Sequence, residues 1–260
     1  MNIKGMDQLT LHFPDLQTLR GRIRVILSFA GIIALVTLFF VWVDRVFAEW
    51  MPDGEILIMA IGFLVLSLVF SRRAVYRQKY GDLAYRYAIL HFGIPGVAII
   101  IACIAHLAYM PGPLIPEVVW WRPVLNGLGW VFVVIGAVLC IRTAYTFGID
   151  YAGLLFVYFP EGGTLVRSSI YALIRHPIYA SALYISIGLA FISSNWYALV
   201  VALLLPVGWT GWIRLVEEKE IIQRFPNYLE YRREVPAFWV KIGELGKFYG
   251  FLIRGDPTRG

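Results

Sequence analysis

The stretch Arg175-His176-Pro177-Ile178-Tyr179 opens an apolar run, residues 178–193, and Ser193-Ser194-Asn195 separates it from a second run, residues 196–213. Ser and Asn supply turn and cap chemistry, so the two runs read as a close antiparallel hairpin. Each is short for the roughly 20 residues, at about 1.5 Å apiece, that a membrane span needs. Both are therefore expected to extend into their flanks. Beyond the hairpin comes the acidic pair Glu217-Glu218. A basic, imidazole-bearing cluster at one mouth of a membrane hairpin is costly unless something uses it.

Four more apolar runs precede the hairpin, at residues 25–43, 56–71, 88–110 and 124–147. Of the 260 residues 59% are hydrophobic and only 15% charged, with a mean hydropathy of +0.70. That leaves too little polar surface for a soluble domain. The expected fold is all-α: a polytopic integral membrane bundle of about six transmembrane helices with a cytoplasmic carboxy-terminal helical region. Residues 152–159 are too few to cross, and Pro160-Glu161-Gly162-Gly163 ends them. A re-entrant or interfacial piece is expected there. The first apolar run is long enough to span, so insertion through it is expected rather than a cleaved leader.

Loop charges predict the orientation. Arg20, Arg22 and Arg24 precede the first run, and Arg72, Arg73, Arg77, Lys79 and Arg86 follow the second. Between those runs lie Asp44, Glu49, Asp53 and Glu55 against Arg45. Basic loops stay cytoplasmic, so both termini and the 148–177 segment are expected on the cytoplasmic side. The chain then divides into a cytoplasmic segment 1–24, membrane helices 25–123, a membrane core 124–240 and a cytoplasmic tail 241–260. The net charge of +6 points to anionic lipid headgroups rather than nucleic acid. Trp120-Trp121, Tyr151 and Tyr158 suit the headgroup level. Cys103 and Cys140 sit in apolar runs and read as buried thiols. His91, His106 and His176 are scattered without metal-ligand spacing.

The candidate site is the cytoplasmic mouth of the hairpin. Pro177 lacks an N–H and fits a first helical turn, which drives His176 out of helical geometry. Arg175 and His176 then stand where orphan helix amides favour an anion. An interfacial anchor of Arg and aromatic residues is the alternative. In helical register Glu218 shares a face with Ile221 and Ile222 and is four residues from Arg214. An inward carboxylate needs a partner: Arg214, Arg175 or a bound ammonium group. Tyr228 and Tyr231 offer faces for a cation, or anchor the tail. A zwitterionic, positively charged cofactor would use an anion corner, a carboxylate and aromatic rings together. Gly127, Gly129 and Gly136 read as positions of close helix packing.

As a set, Ser169-Ile170-Tyr171, Arg175-His176-Pro177-Ile178-Tyr179, Glu217-Glu218, Phe225-Pro226-Asn227-Tyr228-Leu229-Glu230-Tyr231 and Val235-Pro236 resemble a known group. It is the membrane methyltransferases that include isoprenylcysteine carboxyl methyltransferase and the phospholipid N-methyltransferases. The resemblance runs over about residues 164–238. It implies S-adenosylmethionine bound at the cytoplasmic face by Tyr171, His176, Tyr179, Glu218, Tyr228 and Tyr231. Arg175, Arg214 and Glu217 are the catalytic candidates. It also implies an apolar or lipid acceptor entering from the bilayer: a prenylcysteine-like carboxylate first, a lipid amine or thiol otherwise. Two positions depart from the pattern, where the group has Gly and this chain has Ser169 and Pro226. A site needing positive φ would be strained there. A nicotinamide-dependent lipid or sterol reductase with a shared core, or a non-catalytic scaffold or transporter, are the competing readings.

Overall fold

In the computed structural model of the chain, residues 4–115 and 121–255 are described; Trp120 and the end of the tail lie outside them. A short helix α1 (Met6–His12) precedes the long α2 (Leu19–Val46) and α3 (Asp53–Ser71). Helix α4 (Arg73–His106) is bent by a tight turn at Gly81–Leu83 and a π turn at Ile89–Gly93. After α5 (Arg122–Phe147) come two single-turn helices, α6 (Ile149–Ala152) and α7 (Leu155–Tyr158). The hairpin is α8 (Pro177–Ser193) and α9 (Trp196–Arg224). Helices α10 (Tyr228–Glu234) and α11 (Leu245–Arg254) end the chain. No strand forms among the described residues; Leu114 and Asn195 share an isolated bridge.

Helices α2, α3, α4, α5 and α9 are each long and apolar enough to cross a membrane, and α8 is a shorter apolar helix. All six expected runs are helical, and the chain is an integral membrane protein. Only one half of the hairpin lengthens as the sequence predicts. Pro177 fixes the start of α8, and Ser194 at φ 52° stops it. Helix α9 runs on to Arg224 instead. The 148–177 segment forms no seventh span. Leu27, Leu35 and Leu38 of α2 are more than 60% exposed, a surface that only lipid covers without cost.

Small residues set the closest helix pair. A Cβ on Gly129 would stand 2.6 Å from the Gly188 carbonyl oxygen, and one on Gly136 2.6 Å from that of Ser181. Helices α5 and α8 therefore touch backbone to backbone. Gly127 faces open space. Asn195 fixes the hairpin turn: its Oδ1 accepts from Tyr197 N at 2.7 Å, and its Nδ2 donates to Met110 O at 2.7 Å. Cys103 is buried, whereas Cys140 is half-buried on α5 rather than fully enclosed.

The basic segments gather at one end of the bundle. Ile149 N donates to Lys4 O at 3.0 Å, His12 stacks on Phe159 at 3.6 Å, and Arg142 donates to Ile253 O at 2.9 Å. Arg86 bonds Asp15 in the same region and holds its carboxyl below the usual carboxylate range. Glu55, near the start of α3, marks the opposite end. Its Oε2 lies 2.7 Å from His106 Nδ1, while His106 Nε2 lies 3.1 Å from Asp44 Oδ2. This corrects the loop count: Asp44 belongs to α2 and Glu55 is wholly buried in α3.

Candidate functional site

Phe70 near the end of α3, Phe147 at the end of α5 and the mouth of the hairpin meet around one cavity. It holds about 1030 Å³ of atom-free space, the open solvent at its mouth included. One wall is Arg175, His176, Tyr179 and Glu217; another is Tyr171, Tyr228 and Tyr231. The far wall comes from the segment after α5, including Tyr151, Phe156 and Thr164.

Local sequence explains how these groups are presented. His176 caps α8 at φ −125°, out of helical geometry, because Pro177 follows it. The chain segment 235–237 then runs alongside as a strap. Arg175 N donates to Pro236 O at 3.0 Å and His176 N to Ala237 O at 3.1 Å, and Arg175 Nε donates to Val235 O at 2.8 Å. These two amides are thus committed to protein rather than left for an anion. The guanidinium carries the anion-binding capacity instead. Arg175 Nη1 bonds Glu218 and, at 3.3 Å, Tyr228; among the described residues Nη2 bonds nothing.

The acidic pair splits into two roles. Glu218 is 1% exposed and does not line the cavity. Its Oε1 accepts from Arg175 and from Tyr228 at 2.9 Å, with His176 Nε2 at 3.3 Å; its Oε2 faces Arg232 at 3.3 Å. It holds the cavity wall from behind. Glu217 lines the cavity, with Oε1 3.8 Å from His176 Nδ1 and a buried Oε2 that has no hydrogen-bond partner. Burial, and the Glu218 carboxylate beside it, push the Tyr228 phenol well above its usual range. It therefore stays protonated and donates.

Tyr179 lies between His176 and Trp209, its ring 5.7 Å and 4.5 Å from theirs. Tyr231 is buried, not an exposed tail anchor, and donates to Tyr171 O at 2.6 Å. Burial pushes both the Tyr171 and Tyr231 phenols up as well.

Arg214 does not join this site: it is exposed and makes no pair with Glu218. A π turn spans Ile213–Glu217. The wider turn breaks the α-helical register that placed Arg214 and Glu218 on one face. Residues unremarked in the sequence also line the cavity. Glu220 accepts from Arg73 at 3.2 Å and forms an ion pair with Arg224 at 2.8 Å, and both Glu220 and Arg224 face the space. Their only sequence signal was a helical repeat beyond the membrane run.

The two departures from the family pattern are now located. Ser169 sits at φ 55°, the left-handed conformation that glycine adopts freely, with a buried hydroxyl that finds no partner. Pro226 fits its place, since Tyr228 N donates to Phe225 O at 2.9 Å and closes a turn around it.

The arrangement offers a cation, a buried carboxylate oxygen and aromatic faces in one partly apolar space. Among the described residues, no group of His, Cys, Asp and Glu is arranged to hold a metal ion. The chain is 32% identical over 128 residues to a protein-S-isoprenylcysteine O-methyltransferase of Xenopus laevis, covering 48% of this chain and 42% of that protein. It is 32% identical over 105 residues to the cobalt-zinc-cadmium resistance protein CzcN of Cupriavidus metallidurans, covering 40% of this chain and 44% of that one. The chain thus spans less than half the length of these curated relatives. No solved structure gives a significant match. The phospholipid methyltransferase family model matches residues 125–227. That stretch takes in most of α5, the hairpin and the acidic pair, and over it the chain is similar to the phospholipid methyltransferase family.

Proposed function

We propose that the cavity binds S-adenosylmethionine and that the chain transfers its methyl group to an apolar acceptor reaching the cavity from the bilayer. The observation that carries this reading is Glu217 and Arg175 on one wall with Tyr171, Tyr228 and Tyr231 on the next. Arg175 Nη2 suits the donor carboxylate, the partnerless Glu217 Oε2 suits its ammonium group or a ribose hydroxyl, and the tyrosine faces suit the sulfonium and the base. When bound, the cofactor supplies a methyl group already activated on sulfur.

The chain's own work is then to align and to exclude water. Glu218 and the 235–237 strap keep Arg175 and His176 in place. A carboxylate acceptor, as in a prenylcysteine, is held by a cation and needs no base. An amine acceptor must lose a proton, and Glu217, beside Arg175 and His176 in the cavity lining, is a carboxylate that can take it. The basic end of the bundle faces the cytoplasm on the charge rule, which puts both termini and the cavity mouth on the cofactor's side.

Calorimetric titration of S-adenosylmethionine into the purified protein in lipid nanodiscs tests the reading. Saturable, stoichiometric binding is expected. A folded protein that does not bind it overturns the proposal, and saturable binding of NADPH in its place moves the reading to a reductase.

A further inference from the structure

The family match ends at residue 227, yet the strap that fixes Arg175 and His176 lies beyond it. The next element in the chain is helix α11. It carries one broad apolar arc, part buried and part exposed. Phe248, Phe251 and Leu252 are buried against the bundle, and Phe248 stacks on Tyr184 of α8. The rest of the arc exposes Leu245, Tyr249 and Ile253 (73%), a stripe at helical spacing, and Ile242 (88%) stands exposed in the turn just before it. Water is a poor neighbour for such a stripe. Its location names a better one: Arg142 of the membrane helix α5 donates to Ile253 O, so the stripe adjoins the lipid-facing surface. Lys241, Lys247 and Arg254 flank it against one acid, Glu244, which pairs with Lys247 at 2.8 Å. Half-exposed Trp239, between strap and helix, touches Tyr184 at 5.5 Å.

We infer that α11 is an interfacial helix seated on an acidic lipid leaflet, and that this seat holds the 235–237 strap against Arg175 and His176. An apolar stripe with cationic flanks matches the insertion of side chains below anionic headgroups. The carbonyls of Pro236 and Ala237, bonded to the amides of Arg175 and His176, connect that seat to the cavity. Lipid composition then acts on a positioning element rather than on a group that touches the reactants. The cavity's role as a donor site rests on the reading above; the lipid seat does not.

The full chain is reconstituted in vesicles of phosphatidylcholine with or without phosphatidylglycerol. A fluorophore is placed on Ile253→Cys, or on the control Lys247→Cys, with Cys140→Ser. Brominated lipid is expected to quench the probe at 253 several-fold more than at 247. A freely labelled, unquenched 253 faces water and overturns the seat; protection without quenching assigns the stripe to a protein partner and overturns it too. Ile253→Asp is expected to speed hydrogen exchange at the Arg175 and His176 amides about tenfold with the fold intact, in line with the loss of an apolar seat. Unchanged exchange overturns the coupling. That readout needs no cofactor, so it survives a failure of S-adenosylmethionine to bind.

Discussion

Two buried histidine–carboxylate clusters stand at opposite ends of the bundle, and they differ in charge and access. At one end His106 and Glu55 are fully buried, with Asp44 on the other ring nitrogen and Phe40 stacked 4.2 Å over the imidazole. Among the described residues, His106 is the only basic group that pairs with those acids. At the other end His176 also meets two carboxylates, but Arg175 and Arg232 are added, and a cavity opens beside them. Phe70 and Glu55, on one helix, separate the two clusters by on the order of 20 Å, at about 1.5 Å per residue. A buried His–Glu pair alone therefore marks no site. Arginines that balance the acids, and an open face, are what distinguish a pair placed to meet a ligand, while a closed, cation-poor pair clasps helices.

The comparison predicts that the closed cluster matters most for stability. Glu55→Ala leaves the buried His106 with one of its two carboxylates, and should cost roughly 3–5 kcal/mol. Thermal unfolding in detergent would show it, with cofactor affinity of the folded fraction unchanged; a wild-type midpoint would mean that the clasp bears no load. Glu218→Ala should cost less, roughly 2–3 kcal/mol, because Arg232 reaches solvent, but it should also weaken S-adenosylmethionine binding by freeing Arg175. Stability loss with unaltered binding would make the two clusters alike. Glu217→Gln should leave the melting curve in place and weaken binding by about tenfold, the worth of one charge-assisted bond at about 1.4 kcal/mol. Equal binding would remove Glu217 from the donor site. Smallest of all, Ser169→Gly should raise stability by about 1 kcal/mol, since it relieves a left-handed serine. A lower midpoint would show that the hydroxyl has a partner worth more than the strain.

Much of the cavity was readable from the chain. Arg175, His176, Tyr179 and Glu217 lie within a few residues of a proline or a span end, where local rules fix geometry. The Glu217/Glu218 assignment was not readable. One faces the cavity and the other is behind its wall, because the π turn at Ile213–Glu217 resets the register and leaves Arg214 outside. His106 was equally invisible, since its partners come from residues 44 and 55 on two other helices. Helix α11 falls in the stretch expected from the loop charges as a cytoplasmic tail; which part of its apolar arc is covered appears only once Phe248 and Phe251 are buried against the bundle.

By itself, then, the sequence determined the membrane helices, the hairpin and the helix start at Pro177. Hydropathy, turn chemistry and proline sterics act over a few residues and need no partner. The tertiary structure alone decided which acid faces the cavity, which histidine is a clasp and which carbonyls hold Arg175. Those depend on charges and backbone groups brought together from distant parts of the chain, and in a low-dielectric interior each such group is settled by the partner it meets.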